Sequence, residues 1–520
     1  MATATDTATA MATKPTRMRP ERRPRARPLT ALLALALGGP VLAQEARVEP
    51  TLQLGVTWSD NIDASSSNRR SGFVLEASPG LSLSRRGGRI SGQLDMSLRN
   101  RIDTSDSGRG TTFLALNGRG EIEAVEDLLF VELDAMASRD NPSLFSGRGR
   151  GDSLSSARAN EVRALGIAPR LELRFGDTEA MLRYQTRWMD GQGVLDRQQM
   201  ERWNARAGNA TAFGLFGWGV DYSRTDTAYG GSGRRDVSQE VSRATLFINV
   251  TPQFRARLIG GHESNDYATR RGESGSITGV GFDWRPSART DVSATSEKRV
   301  FGRGHDLRVH HRRARSVWEL GWSRDITSSL ESFAGLGNDP LYRQIYDALA
   351  ATVPDPLERE RAVLQILSAL GYNIAGLRDT VVASNHYLDK RLSAGVTLIG
   401  ARNSLSLSLL RSDRERIGDL VMNNPLDDFS RFDRVRENTA SLSFSHRLTP
   451  DTSLTAGLTR SHARGSGVAA ENVRRTLYSL GLGTRLGPSV SSNLTLRRQQ
   501  VSGTGRFTEN AIVATLLMRF

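Results

Sequence analysis

Seven histidines, His262, His305, His310, His311, His386, His446 and His462, are the chain's obvious candidates for metal ligation or general-base chemistry. Their spacing serves neither role. His310 and His311 are adjacent, so on a strand they point to opposite faces and cannot chelate one ion together. There is no cysteine, which removes thiolate metal sites, cysteine nucleophiles and disulfides. Only Asn385-His386 is reminiscent of a hydrolase fragment, and a hydrolase would need a Ser or Asp within reach of a His at the barrel rim. No glycine-rich loop follows a strand as a phosphate cradle or dinucleotide fingerprint would, and Gly-Arg-Gly-Arg-Gly at 147–151 reads as a loop tip. The expectation is therefore no catalytic, cofactor or metal site, and no enzyme.

The second candidate chemistry is charge. The net charge is +14, of which residues 1–28 contribute +5, leaving +9 for the remainder. The arginines are spread along the chain with Asp and Glu between them, so no basic helix or aromatic RNA-binding motif forms, and nucleic acid is not an expected partner. Many of them alternate with apolar residues. Arg99 and Asp95 oppose Leu94, Met96 and Leu98; Arg183 and Arg187 oppose Leu182, Tyr184 and Trp188; Arg255 and Arg257 oppose Phe254, Ala256 and Leu258. Glu132 and Asp134 stand in the same relation to Leu129, Val131, Leu133 and Ala135. Isolated charge is too costly to place in lipid, so an apolar-out arrangement makes Arg99, Arg183, Arg187, Arg255, Arg257, Glu132 and Asp134 candidate pore-lumen residues. With Asp283 added, the near balance with a basic excess predicts a modest preference for anions.

The elements that position those charges must be strands. Period-two alternation recurs from Thr51 onward and is clearest in Ser404-Leu405-Ser406-Leu407-Ser408-Leu409. The last dozen residues, Glu509 to Phe520, place Ile512, Ala514, Leu516, Met518 and Phe520 on one face. Such an end strand is an aggregation hazard unless its backbone is paired and its apolar face covered, and a closed barrel in lipid does both. A mean hydropathy of −0.40 agrees with that, because half of each barrel strand is polar. Connections alternate. Short ones fall at Arg85–Gly88, Ala124–Asp127, Gly176-Asp177, Phe213–Gly217, Thr251–Gln253, Arg285–Arg289, Arg312–Arg315, Gly400–Asn403, Thr449–Thr452 and Gly487–Ser489. Long ones include Asp60–Gly72, Arg139–Asn160, Asp226–Glu240, Ser412–Arg436 and Ser461–Arg474. The fold class is all-β, a transmembrane antiparallel barrel of about 22 strands with tight periplasmic turns and long extracellular loops.

Two segments stand apart. Arginines up to Arg27, the apolar run Leu29–Leu37 and the small-residue end Val41-Leu42-Ala43 read as a signal peptide over residues 1–43. Strand one follows within about ten residues, which leaves no room for a plug domain ahead of it. Asp339-Pro340 and Asp355-Pro356 are helix starts, and Gly371 is a stop, so 339–371 reads as a helical hairpin inserted in one long loop, as a gate or as a simple cap.

Ser59-Asp60-Asn61, Ser78-Pro79-Gly80-Leu81-Ser82-Leu83, Gly281 to Thr290, Arg299-Val300-Phe301-Gly302 and Trp322 to Thr327 resemble the outer-membrane proteins associated with the PEP-CTERM/exosortase system, over essentially the whole mature chain. The terminal aromatic Phe520 resembles the assembly signal of bacterial outer-membrane barrels. These resemblances imply localisation in the outer membrane of a Gram-negative bacterium. The implied partners are outer-membrane lipid, the barrel-assembly machinery, and exopolysaccharide or PEP-CTERM proteins. They bring no reaction and no catalytic motif. The expected function is a pore or conduit associated with that export system; the alternatives are a non-conducting scaffold anchoring surface polysaccharide or sorted proteins, and an outer-membrane hydrolase.

Overall fold

Alternating polar and apolar residues at period two, interrupted by turn residues, give 22 antiparallel strands in a single sheet. The computed structural model describes residues 46–520 apart from residue 86 and the stretches 105–109, 141–143, 146–159, 192–196, 231–234, 268–271, 333–341, 343–345, 347–358, 360–362, 364–385 and 419–426. The expected signal peptide lies outside the described residues. So does the helical hairpin at 339–371, save for Tyr342, Tyr346, Arg359 and Val363.

In chain order the strands are β1 (Ala46–Ser59), β2 (Gly72–Arg85), β3 (Ile90–Asp103), β4 (Gly110–Val125), β5 (Leu129–Asp140), β6 (Asn160–Phe175), β7 (Thr178–Gly191), β8 (Gln198–Phe213), β9 (Phe216–Tyr229), β10 (Arg235–Thr251) and β11 (Phe254–Asn265). They continue as β12 (Glu273–Ser287), β13 (Thr290–Arg299), β14 (Gly302–Arg313), β15 (Ser316–Thr327), β16 (Tyr387–Ile399), β17 (Asn403–Arg416), β18 (Arg434–Arg447), β19 (Thr452–Ser466), β20 (Glu471–Arg485), β21 (Val490–Gly503) and β22 (Phe507–Arg519). One-turn helices α1 (Ser329–Ser332) and α2 (Asp428–Arg431) sit in the β15–β16 and β17–β18 connections.

Each strand pairs with its neighbours in sequence, and β22 pairs back onto β1 with Thr51 opposite Arg519 through Ser59 opposite Ala511. The sheet is closed, so it has no edge. All ten short turns fall where the sequence places them. The two-residue turns at 176–177 and 214–215 carry Gly176 at φ +61° and Gly214 at φ +68°, the left-handed backbone that tight hairpins require.

The opposite end departs from expectation. Connections expected at Asp226–Glu240, Ser412–Arg436 and Ser461–Arg474 shrink to 230–234, 417–433 and 467–470, because the flanking strands run on. β13 and β14 are joined by Val300 and Phe301 alone, which breaks the strict short and long alternation. The physical reason is shared: beyond the lipid both faces of a strand tolerate polar residues, so pairing continues where apolar alternation has already stopped.

Candidate functional site

The outward face comes first, because it fixes what the inward face encloses. Leu405, Leu407 and Leu409 are exposed on β17 while Ser406 is buried, its Oγ 2.9 Å from Thr397 Oγ1 on β16. Register carries the same face around the wall, with Leu407 opposite Leu442, Leu480 opposite Leu496, and Leu496 opposite Ile512. Aromatic residues border this belt at both ends. Phe175, Phe213, Phe216, Trp284 and Trp318 are exposed near the short turns, and Trp188, Trp203, Trp322 and Tyr478 toward the other end. A closed antiparallel barrel with an apolar exterior between aromatic girdles satisfies its backbone internally and its surface in lipid. The chain is an outer-membrane β-barrel. The short-turn end, with both strand termini, is then periplasmic.

Inward, the arginines meet carboxylates on the same wall. Arg183 lies 2.7 Å from Glu132, Arg187 lies 2.6 Å from Asp134, and Arg257 lies 3.3 Å from Asp283. Arg170 on β6, which the lumen set omitted, touches Glu132 at 2.5 Å, Glu172 at 2.8 Å and Glu121 at 3.2 Å. Arg99 and Arg101 share Glu76, at 3.9 and 2.8 Å. Arg255 instead donates to Asn249 Oδ1 at 2.8 Å and lies over the Phe247 ring. Two pairs are almost fully buried: Arg299 with Glu263 at 2.6 Å, and Arg414 with Glu437 at 3.4 Å. These strand-to-strand ladders run along the wall. With strands about 4.8 Å apart and tilted by roughly 40°, a 22-strand barrel is on the order of 40 Å across, and barrels of fewer strands already enclose an aqueous channel.

The extracellular mouth is different. There the inward positions turn apolar, out of phase with the outward belt: Val435, Val473, Val501 and Phe507 are buried although Leu442, Leu480, Leu496 and Ile512 mark the outward parity of the same strands. Two connections cover them. Leu144 and Phe145, in the β5–β6 connection, join one cluster with these residues, Phe429 of α2 and Phe432. The Phe145 and Phe432 rings are 4.5 Å apart, and Arg475 on β20 donates to the Leu144 carbonyl at 2.9 Å. A second cluster packs Leu330 of α1 on Met136, Val162, Ala164, Met189 and Met200 of β5–β8, with Arg202 paired to Glu331 beside it. A third joins Tyr229, Val237 and Tyr267, with His386 beside Tyr229 at 3.4 Å. Residues of the β5–β6, β11–β12, β15–β16 and β17–β18 connections thus bury an apolar surface within the mouth.

The histidines stay apart. His305 packs against Trp322 on the outer face with the rings tilted by 43°, His311 contacts Thr290, and His462 contacts Asn472. Among the described residues no three His, Cys, Asp or Glu side chains form a metal cluster.

Ser59-Asp60-Asn61 proves to be the seam. Ser59 Oγ donates to Glu509 at 2.9 Å, Asn510 donates to Asp60 through its backbone N–H at 2.7 Å and its side-chain amide at 2.6 Å, and Asn61 Nδ2 donates to the Thr508 carbonyl at 2.9 Å. Phe520 closes the other end of the same seam, its N–H donating to the Pro50 carbonyl at 2.9 Å.

No protein-family model matches the chain, and no curated protein matches it. Similar solved structures include the siderophore receptor PirA from Acinetobacter baumannii, at TM-score 0.47 and 10% identity, covering 91% of this chain and 80% of that one. The FrpB iron transporter from Neisseria meningitidis is similar at TM-score 0.46 and 11% identity, covering 91% and 81%. The siderophore receptor PirA from Pseudomonas aeruginosa is similar at TM-score 0.45 and 10% identity, covering 91% and 80%. At these values the likeness carries nothing about what this chain binds or moves.

Proposed function

We propose that the protein is a gated outer-membrane conduit, its extracellular mouth held shut by inward-folded connections. The observation that carries this reading is the phase reversal at the mouth. A wall that faced only water would have no use for Val473, Val501, Phe507, Met189 and Met200 on its inner side, and their burial under Leu144, Phe145, Phe432 and Leu330 gives a closed state with a hydrophobic latch. Below that latch the wall carries paired charge, so selectivity is weak and set by the small basic excess.

Reversal-potential measurements across a salt gradient test the wall. The wild type should favour anions slightly. Replacing both Arg183 and Arg187 by Gln leaves Glu132 and Asp134 without those partners and should move the preference toward cations. An unchanged reversal potential removes these residues from the conduction path.

For cargo, the Gly281–Thr290 and Ser59–Asn61 resemblance supports an association with exopolysaccharide or PEP-CTERM protein export. Deleting the protein should then reduce surface polysaccharide or sorted proteins without reducing their synthesis. A second reading is a non-conducting scaffold, favoured by the same covered mouth and self-paired wall. Conductance separates the two readings.

A further inference from the structure

Several inward arginines are matched by carboxylates, whereas Arg411, Arg460, Arg464, Arg474 and Arg498 are exposed on the outer face of β17, β19, β20 and β21 and, among the described residues, none of these five has an ion pair. They sit immediately above the apolar belt, each on the parity of the leucines below it: Arg411 follows Leu409, Arg460 follows Leu458, and Arg498 follows Leu496 and adjoins Tyr478 in register. Register joins them into an arc, with Arg411 opposite Asn438, Asn438 opposite His462, and His462 opposite Arg474. At about 4.8 Å per strand, Arg411 and Arg474 have their backbones roughly 15 Å apart. The nearby outward acids are engaged elsewhere, Asp413 by Arg434 and Arg436, and Glu415 by Lys390.

Two further observations point to what the arc meets. An outward cleft of about 430 Å³ runs from this arc into the belt, floored by Leu320, Leu392, Leu409 and Ala440 and ended by Arg411 and Arg460. On β7–β10, away from this arc, the outward residues at the same level are acidic: Asp190, Glu201, Asp226 and Glu240, with only Arg224 among them, itself paired to Asp226 at 3.0 Å. A general need for solubility would not sort charge by side. Guanidinium groups bind phosphate oxygens in bidentate fashion, and unneutralised cations at a lipid boundary are stabilised by anionic headgroups.

The geometry points to a binding site for a phosphorylated lipid of the outer leaflet, its phosphates held by Arg411, Arg460, Arg464 and Arg474 and an acyl chain lying in the Leu320–Leu392–Leu409 cleft. This arc would fix the orientation of the barrel in its leaflet through one side only. It is independent of whether the lumen conducts.

The test uses the full-length refolded protein in nanodiscs, with lipids retained on the barrel counted by native mass spectrometry. The probes are diphosphoryl lipid A, the same lipid stripped of phosphate, and inorganic phosphate. The wild type should retain the diphosphoryl form at least about tenfold over the stripped form. Arg411→Gln, Arg460→Gln and Arg474→Gln together should abolish that preference, while Glu201→Gln with Glu240→Gln should keep it, and inorganic phosphate should not displace the lipid. Equal retention of the two lipids by the wild type overturns the proposal, and that comparison does not depend on any variant folding. An unchanged preference in the triple variant, or displacement by inorganic phosphate, overturns it as well.

Discussion

Parity decides the fate of each side chain on this wall, so single substitutions are its sharpest probes. Leu407 faces lipid and Ser406 faces inward, one residue apart. Leu407→Arg should cost about 2–4 kcal/mol if the position is near mid-membrane, and Ser406→Arg much less, measured by denaturant unfolding in lipid. Equal effects would mean the register is shifted by one. The buried pairs behave differently from the exposed ones. Glu263→Gln leaves the Arg299 guanidinium buried beside a neutral amide and should cost about 3–5 kcal/mol, whereas Asp291→Asn, opposite the exposed Arg285, should cost under about 1 kcal/mol. Facing was legible in the sequence for Arg183 and Arg187 because Leu182, Tyr184 and Trp188 mark the outward parity around them. Arg170 carries the same signal, since Pro169, Leu171 and Leu173 alternate with Arg170, Glu172 and Arg174.

At the scale of the element, two features carry the closure. The first is the seam, where Ser59, Asp60 and Asn61 take hydrogen bonds from or give them to residues 508–510. Asp60→Ala removes both acceptors for Asn510 and should lower the midpoint of unfolding and slow the appearance of the heat-modifiable folded form, while Asp63→Ala, two residues beyond the triplet, should not. The triplet stood out in the sequence only through a resemblance; its role needed the partner strand 450 residues away. The second is Phe520, whose side chain is exposed and whose N–H is already paired to β1. Its deletion should reduce outer-membrane levels of the protein well below the level of its synthesis. All ten periplasmic turns were legible because turn chemistry is local. The extracellular ends were not, because polar strands outside lipid look like loops until their partners are known.

At the scale of the whole molecule, the proposed latch closes a wide barrel at one end with the barrel's own connections. The signal for this was present in the sequence as a parity reversal, Val473 against Leu480 and Phe507 against Ile512, yet it acquires meaning only when Leu144, Phe145 and α1 arrive from distant strands. Planar-bilayer recording of the refolded wild type beside Phe145→Asp with Phe432→Asp measures the latch directly. Two carboxylates at the ring contact cannot share a dry cluster, so the latch should open. The wild type should show rare, brief openings and the variant long-lived, larger steps, with both folded by heat-modifiability. Identical steps in the two proteins, or silence in both, would contradict a mouth gated by these residues, and silence would leave the scaffold reading in its place.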